Sequence, residues 1–134
     1  MYGPSITADT AKKIAPAAIA EAKKNNWTMA IAIVDTHGEL VYFERMEEVQ
    51  QGSVDVSIAK ARSAARFKRA TKVFQDGLAA GGVGLRLLSL EGAVPVEGGI
   101  PLVVGGKIVG AIGVSGVTSA QDGQLAAAGV AGLK

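Results

Sequence analysis

The apolar positions fall into blocks whose spacing changes along the chain, and each change marks an element. From Thr7 onward, Ala11, Ile14, Ala15, Ala18, Ile19 and Ala22 recur at three- and four-residue intervals, which places them on one face of a helix. Thr7 is positioned to cap that helix, with Ile6 before the cap and Ala11 set to pack against it. Pro16 lies inside the pattern, removes a backbone donor and predicts a bend. Thr28 to Val34 is an unbroken apolar run in which Met29, Ile31 and Ile33 alternate with the smaller Ala30, Ala32 and Val34, the pattern of a strand covered on both faces. Asp35-Thr36-His37-Gly38 then turns the chain, and Leu40 to Glu44 returns as the paired strand.

A helix is predicted from Ser53 to about Lys72, followed by a Gly/Ala-rich connection from Gln75 to Gly84 that holds at most one short helix. Residues 93–97, 101–104 and 107–115 read as strands, the last two joined by Gly105-Gly106, a dipeptide suited to positive φ at both turn positions. Ser119 is expected to cap a closing helix, with Asp122 three residues on at capping-box spacing. Leu125, Ala126, Gly129, Val130 and Leu133 form that helix's packing face, and Gly110 and Gly113 in the preceding strand predict a close helix–sheet approach. Helix, two strands, helix, three strands and helix make one α+β domain over residues 1–134, on an antiparallel sheet.

Composition sharpens this picture. The 134 residues are 49% hydrophobic and 19% charged, as in a globular chain of one domain. Glycine and alanine fill almost a third of the positions, and only three Phe, two Tyr and one Trp supply aromatic bulk, so burial completed by a second subunit is expected. The absence of cysteine excludes disulfides, a thiolate nucleophile and thiolate-ligated metals, and the single histidine, His37, excludes two-histidine zinc signatures. A net charge of +2 is too mild to argue for nucleic acid. Met1-Tyr2-Gly3-Pro4-Ser5 lacks the basic-then-apolar pattern of a secretory signal, and Gly105-Gly106-Lys107 interrupts the most apolar tract before it reaches membrane length, so a cytoplasmic protein without membrane contact is expected.

Several familiar motifs fail. Gly113-Val114-Ser115-Gly116 lacks the spacing of a nucleophile elbow, and Gly105-Gly106-Lys107-Ile108 lacks the hydroxyl residue of a phosphate loop. The stripe Arg62, Arg66 and Arg69 reads as a solvated basic face. Lys60 differs, because it stands between Val56 and Ala64 on the apolar ridge of its helix; its ammonium must snorkel, pair with a carboxylate or enter a polar pocket, where it becomes a tunable acid or base. Glu47 is a candidate partner for Lys60 or a proton acceptor, and Arg45 a planar fork for a carboxylate. Glu97-Gly98-Gly99 reads as a turn or a ligand-approach loop, Asp122 as a cap or a ligand contact, and His37 as a solvated turn residue or an axial ligand for a haem or corrinoid metal.

Taken in order, Val34-Asp35-Thr36-His37-Gly38-Glu39-Leu40-Val41, Arg45-Met46-Glu47, Ser57 to Ala65, Glu97-Gly98-Gly99-Ile100-Pro101 and Val109 to Gly116, with Asp122 and Ala128-Gly129, resemble the GlcG/HbpS family over nearly the whole chain. Glu47-Glu48-Val49 stands where Asp-Gly-Ala commonly follows Arg-Met in that family. The resemblance implies a five-stranded antiparallel sheet with packed helices, in a profilin-like or PAS-like arrangement, assembling as tetramers or octamers. It implies a small-ligand-binding protein, with haem or a corrinoid as the ligand class. The expected pocket gathers Arg45, Glu47, Lys60, Glu97, Gly98, Gly99, Ser115 and Asp122, with His37 as the metal ligand. The alternative is a metal-independent enzyme in which Lys60 and Glu47 move protons in a tautomerisation, hydration or deamination of an organic acid in catabolism.

Overall fold

The computed structural model describes residues 1–133. Its elements are α1 (Ala8–Lys24), β1 (Ala30–Val34), β2 (Leu40–Arg45), α2 (Ser53–Phe67), α3 (Thr71–Ala79), a 3₁₀ stretch (Gly82–Leu88), β3 (Gly99–Val104), β4 (Lys107–Ser115) and α4 (Ser119–Ala131). The four strands form one antiparallel sheet in the order β2-β1-β4-β3.

The alternation along β1 sorts the helices into two layers. Ile31 and Ile33 pack with Ile14, Ala18, Leu125 and Ala126 of α1 and α4, whereas Ala32 and Val34 meet Ala61, Ala64 and Ala65 of α2. Each large side chain of the first layer contributes roughly 1.5–3 kcal/mol by leaving water. The second layer is built from small residues, so α2 lies directly against the sheet backbone. A Cβ at Gly113 would stand 2.6 Å from the Ala61 nitrogen. The close approach read from that glycine therefore occurs against α2 rather than the closing helix, whose own Gly129 receives the side chain of Ile112.

Thr7 caps α1 by accepting from the Thr10 N–H, and the helix runs unbroken through Pro16. Gly105 and Gly106 both take positive φ and join β3 to β4. Three expectations are corrected. The sheet has four strands, not five: residues 93–97 are irregular because their donors go to side chains, Val94 N–H to Ser63 Oγ and Glu97 N–H to Gln75 Oε1, and Pro95 has none to give. The chain's first residues instead run beside β4, with a single bridge between Tyr2 and Ile108. The long middle helix divides at Lys68, whose left-handed backbone (φ 56°) ends α2 and lets Phe74 of α3 fold back edge-on to Phe67, 5.5 Å between ring centroids. Finally, Thr118 rather than Ser119 caps α4, in a reciprocal box with Gln121, which leaves the Asp122 carboxylate free for another partner.

Candidate functional site

Lys60 sits on the α2 face that meets the sheet and is only 1% exposed. Its Nζ donates to Asp122 Oδ2 at 3.0 Å and to the Val114 carbonyl at 2.9 Å. The pair ties the two helix layers together across the end of the sheet where β3 begins and β4 stops. Asp122 is itself buried, and its Oδ1 accepts from the Val117 N–H at 3.0 Å. Burial pushes the Asp122 carboxyl above its usual range, against the opposing pull of the Lys60 ammonium and the Val117 and Gly116 N–H groups.

The loop before β3 closes over this pair. Gly98 holds φ at 134°, and a Cβ there would come within 2.8 Å of Lys60 Nζ and 2.6 Å of the Val114 oxygen, so only glycine fits. Gly99 is fixed from below by Thr71 Oγ1, which accepts its N–H at 2.9 Å. The Glu97 carboxylate lies against Gly123 on the first turns of α4. Lys60, Asp122, Glu97, Gly98 and Gly99 therefore lie together, around a closed ion pair rather than an open pocket. Lys60's partner is Asp122, not Glu47. Among the described residues the neighbouring Ser115 hydroxyl is engaged, donating to Ser53 Oγ at 3.0 Å.

Arg45 and Glu47 stand apart from that cluster. Arg45 pairs across β1 Ala30 to Ser115, two strands away, roughly 10 Å. With Met46, Glu48, Val49 and Gln51 it lines a separate surface hollow of about 240 Å³ that does not reach Lys60. His37 lies beyond the opposite end of β1, in a turn held by Asp35 Oδ1, which accepts the N–H groups of His37 and Glu39. One pocket containing all the expected residues is not formed, because β1 separates its two ends.

The His37 turn meets a set of residues that the sequence presented only as a basic stripe. Arg62 Nε donates to the Gly38 carbonyl at 3.0 Å and Arg66 Nε to the His37 carbonyl at 2.8 Å, so consecutive turn carbonyls orient two guanidiniums one helical turn apart. Both line a hollow of about 430 Å³ whose walls include Leu40, Ile58, Ala59, Val94 and the carboxylate residue Asp55. Their i, i+4 spacing was legible, but the carbonyls that fix them were not. The His37 ring makes no hydrogen bond among the described residues, and no group of three or more His, Asp or Glu there is arranged to hold a bare metal ion.

Residues 6–131 match the family described as "Haem degrading protein HbpS-like". The chain belongs to this HbpS-like family. It is 39% identical to the protein GlcG of Escherichia coli K12 over 95 residues, 71% of this chain and 69% of that one. The crystal structure of Klebsiella pneumoniae protein ORFY superposes with a TM-score of 0.89 at 30% identity, covering 99% of this chain and 93% of the other. A complex described as PduOC:heme gives a TM-score of 0.86 at 25% identity, covering 97% and 96%. The family and the α+β architecture are thereby in place. No helix among the described residues is long and apolar enough to cross a membrane.

Proposed function

We propose that this protein binds a haem-type tetrapyrrole at the hollow that α2 forms with Leu40, Gly92 and Val94, with His37 of the adjoining turn as axial ligand. The observation that carries this reading is a hollow with Leu40, Ile58 and Val94 in its wall whose two guanidiniums, Arg62 and Arg66, are oriented by the backbone carbonyls of the turn that bears the one histidine. The donor set fits such a group. A tetrapyrrole brings four nitrogens of its own and asks the chain for a single axial nitrogen, which His37 has, and for cations to meet its carboxylates, which Arg62 supplies and Arg66 shares with Glu39, 3.4 Å away. Leu40, Ile58 and Val94 supply apolar surface for the macrocycle. A bound haem brings redox chemistry at iron; the chain's own residues bind it, orient it and pair its charges. A corrinoid makes the same single demand on His37.

The kinship with a family described as haem-degrading and with a haem complex supports the same ligand class. Titrating haemin into the protein is expected to give a saturable Soret shift that His37→Ala removes and that Arg62→Gln with Arg66→Gln weakens. An unchanged Soret band, or one indifferent to His37→Ala, contradicts the reading.

The acid–base alternative has less behind it: Lys60 and Asp122 are buried against each other and line neither the Arg45 hollow nor the Arg62–Arg66 hollow, while Glu47 stands apart from both.

A further inference from the structure

A third hollow, of about 480 Å³, opens between α3 and the 3₁₀ stretch. It is lined by Arg69, Phe74, Arg86, Leu87, Ser89 and Leu90. In a 3₁₀ turn residues three apart eclipse, so Gly84 and Leu87 form one row, and Leu90 follows just beyond the end of the stretch. That row faces α3: a Cβ on Gly84 would collide with the Gly77 carbonyl, and Leu87 reaches Gly77. Leu87, Leu90 and Phe74 make the hollow's apolar walls.

The charges around it are of one sign. Arg69 lays its guanidinium 5.6 Å from the Phe74 ring centroid and spends its Nε on the Phe67 carbonyl, which leaves its terminal nitrogens free of that bond and fixes its plane. Arg86 joins none of the ion pairs among the described residues. No carboxylate lines the hollow, and Asp76 on the same helix is held by Lys72 at 2.8 Å. Two guanidiniums beside an aromatic and two leucines, without a counter-charge, make a site whose missing component is an anion with an apolar body. Its size lies within the range of small-molecule pockets.

We infer that this hollow binds a small organic carboxylate carrying a ring or a comparable apolar body, independently of the tetrapyrrole reading. The carboxylate sits between Arg69 and Arg86, and the body lies against Phe74, Leu87 and Leu90. The test is a titration with benzoate followed by amide nuclear magnetic resonance, with benzamide and inorganic phosphate as probes lacking the charge and the ring. Benzoate is expected to produce saturable shifts centred on residues 86–90, with benzamide and phosphate at least tenfold weaker. Arg86→Gln, on an exposed turn, should weaken benzoate at least tenfold, whereas Lys107→Gln and His37→Ala should leave it unchanged. Absence of saturable shifts, equal binding of benzamide, or loss of the response in His37→Ala overturns the inference.

Discussion

A buried ammonium dominates the residue scale. Taking Lys60 and Asp122 out of water costs several kcal/mol per ion, and their mutual attraction offsets this only because both are closely hydrogen-bonded. Two effects compete at Asp122. Burial favours its neutral form, while Lys60 and the Val117 N–H favour its charge, and burial is the larger. A carboxyl raised by folding lends stability that is full below the ordinary carboxylate range and lost as pH rises through the raised value. The stability lost in Asp122→Asn is therefore expected to be greater in acid than at neutral pH, measured by urea unfolding across that interval. A loss that shrinks on acidification means that Lys60 wins. At Gly98, an added methyl must both hold φ 134° and displace Lys60 Nζ. Gly98→Ala is expected to cost roughly 1–3 kcal/mol or more in thermal unfolding; a neutral result removes the close packing around the pair.

At the scale of elements, loop 93–98 holds its place through side chains of its neighbours. Thr71, fully buried at the start of α3, accepts the Gly99 N–H where β3 begins. Thr71→Val is expected to leave that N–H buried without a partner and cost about 1–3 kcal/mol by urea unfolding. Such ties explain what could be read from the chain. The periodicity in α1, the β1–β2 hairpin, the Gly105-Gly106 turn and the packing face of α4 is local, so it was legible. The inward aim of Lys60 was legible too, from the ridge it shares with Ala64, although Val56, the other residue assigned to that ridge, is exposed at the start of α2. Its partner was not, because Asp122 is 62 residues away and Ser119 offered a competing cap one residue from the true one. The division at Lys68 was hidden because a lysine gives no sign of a left-handed backbone. The false strand at 93–97 had strand-like residues whose donors were taken by Ser63 and Gln75.

For the whole molecule, exposed apolar side chains occur at several places, among them Met1, the β3 end at Val103 and Val104, and one arm made of α3 and the 3₁₀ stretch. Val83 is 80% exposed and Leu88 72%, with Leu85 and Val73 also open, all on α3 and the 3₁₀ stretch. We propose that a second copy of the chain covers Leu85 and Leu88, which share a row of the 3₁₀ stretch different from that of Arg86, in line with the scarcity of large core residues. Light scattering is expected to report a multiple of 13.6 kDa that falls in Leu85→Lys with Leu88→Lys; a monomeric parent protein contradicts this.

The sheet itself divides the functional candidates between two ends: a closed Lys60–Asp122 lock under the Gly98 loop, and an open hollow beside His37. The account rests on the second. A crystal structure of the protein grown with haemin tests it most directly. It is expected to contain the macrocycle against Leu40, Ile58 and Val94, its iron bonded to a His37 ring nitrogen and its carboxylates beside Arg62 and Arg66. Haem bound away from that turn, with His37 unligated, contradicts it.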